Sequence, residues 1–327
     1  KKMVKLAGQS DVRGTVDFFG TSNPTVFLAG KKSAWGIVYN DTLSRAQMQM
    51  RKFGVSFGKI DHIFISHLHG DHLFGLFGLL STMAMSGRVG DLHIYGPEAV
   101  GKILDFFMEN FGEGIKYKIE VHPIKCKEPV QIYDSRQLEV LAFPLVHRGE
   151  TYGFLFKEKS PQLNVRKHLI EPHKLSLYEI ARLKEGQDLV RPATFTDEDG
   201  STVEYEETLK NEDFTYLPYK PRSFAYCTDT LPFKRLAGWI KGADLVYHDS
   251  TYTNEFAELA KTTFHSTSSA AACCAKEAGA GKLVLGHYSS RYKSLDTMLA
   301  EAQEVFPNTQ LAKEGMKFEI ELEKYKE

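Results

Sequence analysis

The chain has 327 residues, 42% hydrophobic and 25% charged, close to the averages of soluble globular domains, so it can bury a sizeable core and wholesale disorder is excluded. A formal net charge of -1 excludes a global basic field, and any attraction to nucleic acid must come from local Lys and Arg clusters. The four cysteines, Cys126, Cys227, Cys273 and Cys274, have neither CxxC spacing nor the density of a disulfide-stapled scaffold and read as reduced thiols.

The opening KKMVKLAGQS lacks the apolar stretch of a secretory signal, and no apolar run reaches the roughly 18 residues of a membrane span, so a cytoplasmic protein with no membrane association is expected. TVFLAG and WGIVYN read as strands, followed by helix-like LSRAQMQMRKFG. HIFISH is rich in Ile and Phe and reads as a buried strand, the polar LHGDH as a loop, and LFGLFGLLSTMAMSG as a buried helix. DLHIYG predicts a strand, PEAVGKILDFFMENFG a helix with Pro97 at its start, and KYKIEVHPI, QLEVLAF and TYGFLFKE three further strands.

Residues 160–222 then change texture, becoming polar and charged around helix-like LSLYEIARLKEG and the acidic turn TDEDGS, and read as an inserted segment. Beyond it SFAYCTDT, DLVYHDST and KLVLGHYS predict strands, and HSTSSAAACCAKEAG and LDTMLAEAQEVF predict helices. No internal repeat is visible, and the similar strand and helix alternation in the two halves predicts one pseudo-symmetric α/β sandwich over residues 1–327. Cys273, Cys274, Met83 and Met85 read as core filler, since Met and Cys fill irregular apolar gaps.

The chemistry concentrates after HIFIS. His67, His69, Asp71 and His72 place three imidazoles and a carboxylate within six residues, the neutral nitrogen and anionic oxygen donors that zinc prefers. His67 and His69, two apart in extended chain, point the same way, and a turn at Gly70 redirects Asp71 and His72, so one segment can serve two metals. Three other candidates, His147, Asp229 and His287, each close an apolar strand, where open α/β architectures gather their ligands.

SHLHGDHLFGL resembles the signature of the metallo-β-lactamase superfamily and, within it, the ribonuclease Z family of tRNA 3′-processing endonucleases. The resemblance extends to PLVHRG, AYCTDT, FHST and GHYSSRY in the same order, spanning Ile60 to Tyr292. It implies a four-layer αβ/βα sandwich with two zinc ions, one held by His67, His69 and His147 and the other by Asp71, His72 and His287, with Asp229 bridging. Donors of this type also accept manganese, iron or cobalt. It implies too that His265 is a non-ligand histidine donating a proton or hydrogen bond to the phosphate or leaving 3′-oxygen, and that Asp71 orients the attacking water or takes its proton. Asp249 in YHDSTY stands where the family has glutamate and would hold the His265 ring.

Weaker candidates surround this set. Ser289 and Arg291 offer hydroxyl and guanidinium donors to a phosphate, and Lys220 and Arg222 in YKPRSF offer charge to an RNA backbone. Lys157, Lys159, Arg166, Lys167, Lys174, Arg182 and Lys184 suit the inserted segment to the family's role for such an arm, gripping tRNA, and the resemblance also implies a homodimer. Where the family carries Asp before a Gly-Glu-Gly-Thr-Gln run, this chain reads YNDTLSRAQMQM: Asp41 and Gln47 take the Asp and Gln places, while Leu43, Ser44 and Arg45 replace the glycines and glutamate.

The expected activity is zinc-dependent removal of 3′ trailers from precursor tRNA, leaving a 3′-hydroxyl. Two other readings compete: a small-molecule phosphodiesterase of the same fold, and a non-catalytic RNA-binding protein with a degenerate metal site. The inserted segment and YKPR count against the first and the full set of seven ligands against the second.

Overall fold

The structure is a computed structural model. It describes the backbone of strands 12–19, 25–30 and 34–39 and, with side chains, residues 50–52, 54–197, 199–313 and 316–325. Asp41, Gln47 and most of the predicted helix LSRAQMQMRKFG lie outside the described residues. The chain divides into two compact units, Lys1–Lys157 with Arg222–Glu321, and Glu158–Pro221 with Leu322–Glu327.

The larger unit holds two seven-stranded sheets. In chain order the first is built from β1 (Val12–Phe19), β2 (Thr25–Gly30), β3 (Ala34–Tyr39), β4 (His62–Ile65), β5 (Leu92–Pro97) and β6 (Ile119–Ile124), and the second from β7 (Val130–Asp134), β8 (Leu138–Pro144) and β9 (Tyr152–Glu158) and, after β10 (Asn164–Val165), β11 (Leu189–Thr196), β12 (Thr202–Leu209) and β13 (Thr215–Tyr216) of the smaller unit, from β14 (Ser223–Cys227), β15 (Leu245–Asp249), β16 (Lys282–Gly286) and β17 (Thr309–Leu311). A last strand, β18 (Lys317–Glu319), returns to pair with β1 and closes the first sheet in the order β18-β1-β2-β3-β4-β5-β6. From β3 to β6 that sheet is parallel, as is the other from β14 to β17.

Alternation along these strands explains the layers, because successive side chains leave a strand on opposite faces. In β4, Ile63 and Ile65 pack outward with Leu73, Leu76, Leu79, Leu80 and Met83 of helix Gly70–Met85 and with Val100, Leu104 and Phe107 of helix Ala99–Phe111. Phe64, between them, faces inward and joins Phe154, Phe156, Tyr226 and Tyr247 of the opposite sheet. The outer face of that second sheet, carrying Cys227, Val246 and Leu285, is covered by helices Lys234–Trp239, Ser268–Ala278 and Asp296–Val305. The parallel strands β4, β14, β15 and β16 are therefore buried on two faces and read as nearly continuous apolar runs. The result is the expected four-layer order of helices, sheet, sheet and helices.

Some expectations need correction. LHGDH is not all loop: the helix begins at Gly70 with His69 as its N-cap, so Asp71 and His72 belong to its first turn. Pro97 ends β5, and the following helix starts at Ala99. Met83 is core, but Met85 is 80% exposed because it lies at the far end of the helix on its outer side, and Cys273 is likewise exposed on its helix. Among the described residues no helix is long and apolar enough to cross a membrane.

The smaller unit has its own core of Val165, Leu175, Leu183, Leu189, Leu209 and Phe214. Its predicted helix forms as Leu177–Lys184, started by a capping box in which Ser176 and Glu179 exchange hydrogen bonds. Strands Leu189–Thr196 and Thr202–Leu209 pair as an antiparallel hairpin, two eight-residue strands not expected from the sequence because Pro192 and the run of glutamates hide their alternation.

Candidate metal centre

The site forms where strands end. His67 follows β4, His147 follows β8, Asp229 follows β14, Asp249 ends β15 and His287 follows β16. At two of these ends the backbone enters the left-handed region: among the described residues four that are not glycine have positive φ, and they include Asp229 (30°), His287 (61°) and Phe264 (62°), the C-cap of helix Ala257–Thr263 whose carbonyl meets His147. Such conformations cost roughly 1–3 kcal/mol each and persist where the surroundings impose them.

Two groups of donors result, His67, His69, His147 and Asp229 in one and Asp71, His72 and His287 in the other. His67 Nε2 lies 3.1 Å from His69 Nδ1, and His147 Nε2 lies 3.4 Å from the same atom. Asp229 touches both groups. Its Oδ2 is 3.6 Å from His67 Nε2, 3.9 Å from His147 Nε2 and 3.5 Å from His72 Nε2, and its Oδ1 is 3.3 Å from His287 Nε2. Asp71 Oδ2 stands 3.5 Å from His72 Nε2.

These spacings fit a metal. Donors about 2.0–2.1 Å from a tetrahedral zinc lie roughly 3.3–3.4 Å from one another, and the contacts above scatter around that edge length. His72 supplies a second test: its Nε2 is buried and no hydrogen bond reaches it, a costly arrangement for a polar atom that a cation would relieve. The rings are also pre-set. His147 Nδ1 donates to Phe264 O at 3.0 Å, His287 Nδ1 lies 2.7 Å from Thr251 Oγ1, and Ser66 Oγ sits 3.1 Å from His67 Nδ1 and 3.5 Å from His72 Nδ1. Occupying Nδ1 leaves Nε2 as the lone-pair atom facing the centre.

Burial drives the His67 imidazole down to about 3, only partly opposed by Asp229, and pushes His72 well below its ordinary value for the same reason. Both rings are therefore neutral and competent as ligands over the physiological range. Burial alone would raise the Asp229 carboxyl, but the imidazoles of His287, His72 and His67 hold it well below the usual carboxylate range.

Beside these donors, His265 Nδ1 contacts Asp249 Oδ2 at 2.9 Å, and its ring stacks on His287 with centroids 4.9 Å apart. Burial pulls His265 down, yet the Asp249 carboxylate more than offsets this and raises it above its ordinary value. Asp249 is wholly buried and gathers further donors: Thr230 N and Ser266 N on Oδ2, and Thr251 N and Oγ1 on Oδ1. The same carboxylate thus holds His265 directly and His287 through Thr251. Thr267 caps the helix that follows, accepting from Ala270 N, and Ser266 Oγ donates to Thr230 O.

A relative named Ribonuclease Z from Bacteroides fragilis is 38% identical over 271 residues, covering 83% of this chain and 85% of its own length. The chain belongs to the ribonuclease Z family. A second Ribonuclease Z, from Bacteroides thetaiotaomicron, is 39% identical over 271 residues, 83% of this chain and 82% of the relative. The Beta-lactamase superfamily domain matches residues 37–165. The crystal structure of human tRNase Z, short form, shares the fold with a TM-score of 0.64 at 22% identity, covering 94% of this chain and 99% of that one. The fold of this ribonuclease Z family member is thus the metallo-β-lactamase sandwich.

The remaining candidates fall elsewhere. Ser289 and Arg291 come together, Arg291 Nε donating to Ser289 Oγ at 3.1 Å, but the guanidinium also lies over the Phe256 and Tyr252 rings. Arg222 is buried and its Nη1 donates to Ile320 O, which makes it part of the interior and corrects its assignment to an RNA-facing surface. The Lys220 side chain is exposed in the smaller unit, where its backbone N–H donates to Glu323 O. Ser66, Thr228, Thr251 and the Phe264 carbonyl were not singled out; only their adjacency to ISHLH, CTDT, DSTY and FHST could have marked them.

Proposed function

We propose that this chain is a zinc-dependent endoribonuclease that removes 3′ trailers from precursor tRNA, water attacking the phosphodiester and a 3′-hydroxyl remaining on the tRNA. The observation that carries the reading is Asp229, placed between two donor groups beside the His265–Asp249 pair, in a chain 38% identical to a protein named Ribonuclease Z. His67, His69 and His147 would hold one ion, Asp71, His72 and His287 the other, and Asp229 both. When bound, the two ions supply an activated water and stabilise charge on the phosphoryl oxygens; zinc suits the donors best, with manganese, iron or cobalt as substitutes.

The chain's own groups do the rest. Asp71, 42% exposed, is the carboxylate open enough to orient the water or take its proton. Asp249 fixes the Nδ1 side of His265, so Nε2 is the face offered to the leaving 3′-oxygen, and the raised affinity for a proton keeps a donor there nearer neutral pH. Ser289 and Arg291 would bind a substrate phosphate. The working form is a homodimer in the cytoplasm.

The test is cleavage of a precursor tRNA carrying a 3′ trailer. Zinc-loaded protein should release the trailer in one cut, lose activity to a chelator and regain it with zinc; turnover of bis(p-nitrophenyl) phosphate without any cut in the RNA would overturn the tRNA reading.

The smaller unit is proposed to grip tRNA through its basic residues. Lys167 and Lys174 are exposed there, so reversing both to Glu should raise KM for precursor tRNA by about tenfold and flatten its salt dependence by about two units of slope. Hydrolysis of the small phosphodiester should not change. Equal loss on both substrates would remove the arm from the argument.

A further inference from the structure

At the other end of β4 from His67 lies a second cluster of donors, on three neighbouring strands of the first sheet. The parallel register sets His62 opposite His93 and His93 opposite Glu120, and Tyr95 opposite His122. Glu120 and His122, two apart on β6, leave the sheet on the same face. Adjacent strands are about 4.8 Å apart, so a pair on β6 and a histidine on β5 reach a common point.

His93 Nδ1 is 3.0 Å from His122 Nε2 and 3.2 Å from Glu120 Oε2, and His122 Nε2 is 4.0 Å from that oxygen. These are the edge lengths found at the centre around Asp229. Nδ1 of His93 carries at most one hydrogen, and an imidazole nitrogen and a carboxylate oxygen both converge on it, a grouping of three donor atoms that a cation would satisfy together. The rings are braced from behind: His93 stacks on His62 with centroids 5.0 Å apart, and His122 on Tyr95 at 4.5 Å. Lys118 pairs with Oε1 of Glu120 and leaves Oε2 for the cluster. With side chains 28%, 29% and 40% exposed and β6 the outer strand of its sheet, water can complete a coordination sphere.

We propose that His93, Glu120 and His122 form a further binding site for a divalent transition-metal ion, separate from the centre around Asp229. Two imidazoles and one carboxylate suit zinc, nickel and copper over magnesium or calcium, with copper held most tightly. Donors fixed on paired strands need little rearrangement to bind. The site does not depend on the tRNA reading.

The test is a Ni2+ titration of the intact protein as purified, followed by calorimetry and metal analysis, against a variant carrying H93A and H122A. Wild type should take up one equivalent more than the variant. Because the two chains share every residue around Asp229, exchange there cancels in the comparison. With Cu2+, the wild-type electron paramagnetic resonance spectrum should show coupling to two imidazole nitrogens; H122Q, which keeps size and polarity, should lose one of them, and E120Q should weaken binding by about tenfold. Equal Ni2+ uptake by wild type and the double variant, or a copper spectrum that H122Q leaves unaltered, overturns the proposal.

Discussion

Asp229→Ala is expected to lower cleavage of a 3′-extended tRNA by about a thousandfold or more and to strip metal from both donor groups. The reason is geometric. Asp229 is within 4 Å of Nε2 on His67, His72, His147 and His287, whereas each histidine belongs to one group. His69→Ala, by contrast, should weaken only the group of His67 and His147. The carboxylate is held in place by Thr228 Oγ1 at 2.5 Å and by a left-handed backbone. Its loss leaves the two groups with nothing in common. Metal content and single-turnover cleavage measured on the same preparation decide the matter: a variant with unchanged metal content that cleaves within about tenfold of wild type would remove Asp229 from the bridging place proposed for it.

Asp249→Ala should have the second largest effect, and on two readouts. Three backbone amides, Thr230, Ser266 and Thr251, donate to this wholly buried carboxylate along with Thr251 Oγ1 and His265. Removing it strands them, which costs about 3–5 kcal/mol by analogy with breaking other buried charged contacts and should lower Tm on the order of 10 °C. Activity should fall on the order of a hundredfold or more, because both His265 and His287 lose their common anchor. Asp249→Asn separates the two effects: one oxygen remains for the amides, so the loss of Tm should be smaller, while the His265 contact is weakened and cleavage still drops. Asp249→Glu restores the charge but must fit one more methylene into a fully buried pocket, at roughly 1–3 kcal/mol. An Asn variant with wild-type cleavage would reduce Asp249 to a purely structural role.

The layers of the fold were legible where each strand carries an unmistakable apolar run. HIFI, LVYHD and KLVLG sit in parallel, doubly covered positions, and that burial is what writes Ile, Val and Leu at nearly every position. The hairpin Leu189–Leu209 was not legible, since its outer face is mostly exposed and charged and the pattern collapses to polarity. The helix boundary at Gly70 was missed for a different reason. Polar residues at a helix start look like loop until it is known that they point at a common centre.

By itself the sequence determined which residue types are available and the order in which they close their strands: His67, His69, Asp71, His72, His147, Asp229 and His287 all stand out because donors at the ends of apolar runs are conspicuous one strand at a time. Only the tertiary structure decided what those donors share. Contacts such as Asp229 with four imidazoles, Asp249 with two histidines, or His93 with Glu120 and His122 join residues far apart in the chain, and they are fixed by strand order and register, which no local pattern encodes. For the same reason Arg222, a plausible surface charge in the sequence, proved to be buried: whether a basic side chain meets solvent or a carbonyl depends on what the fold lays over it.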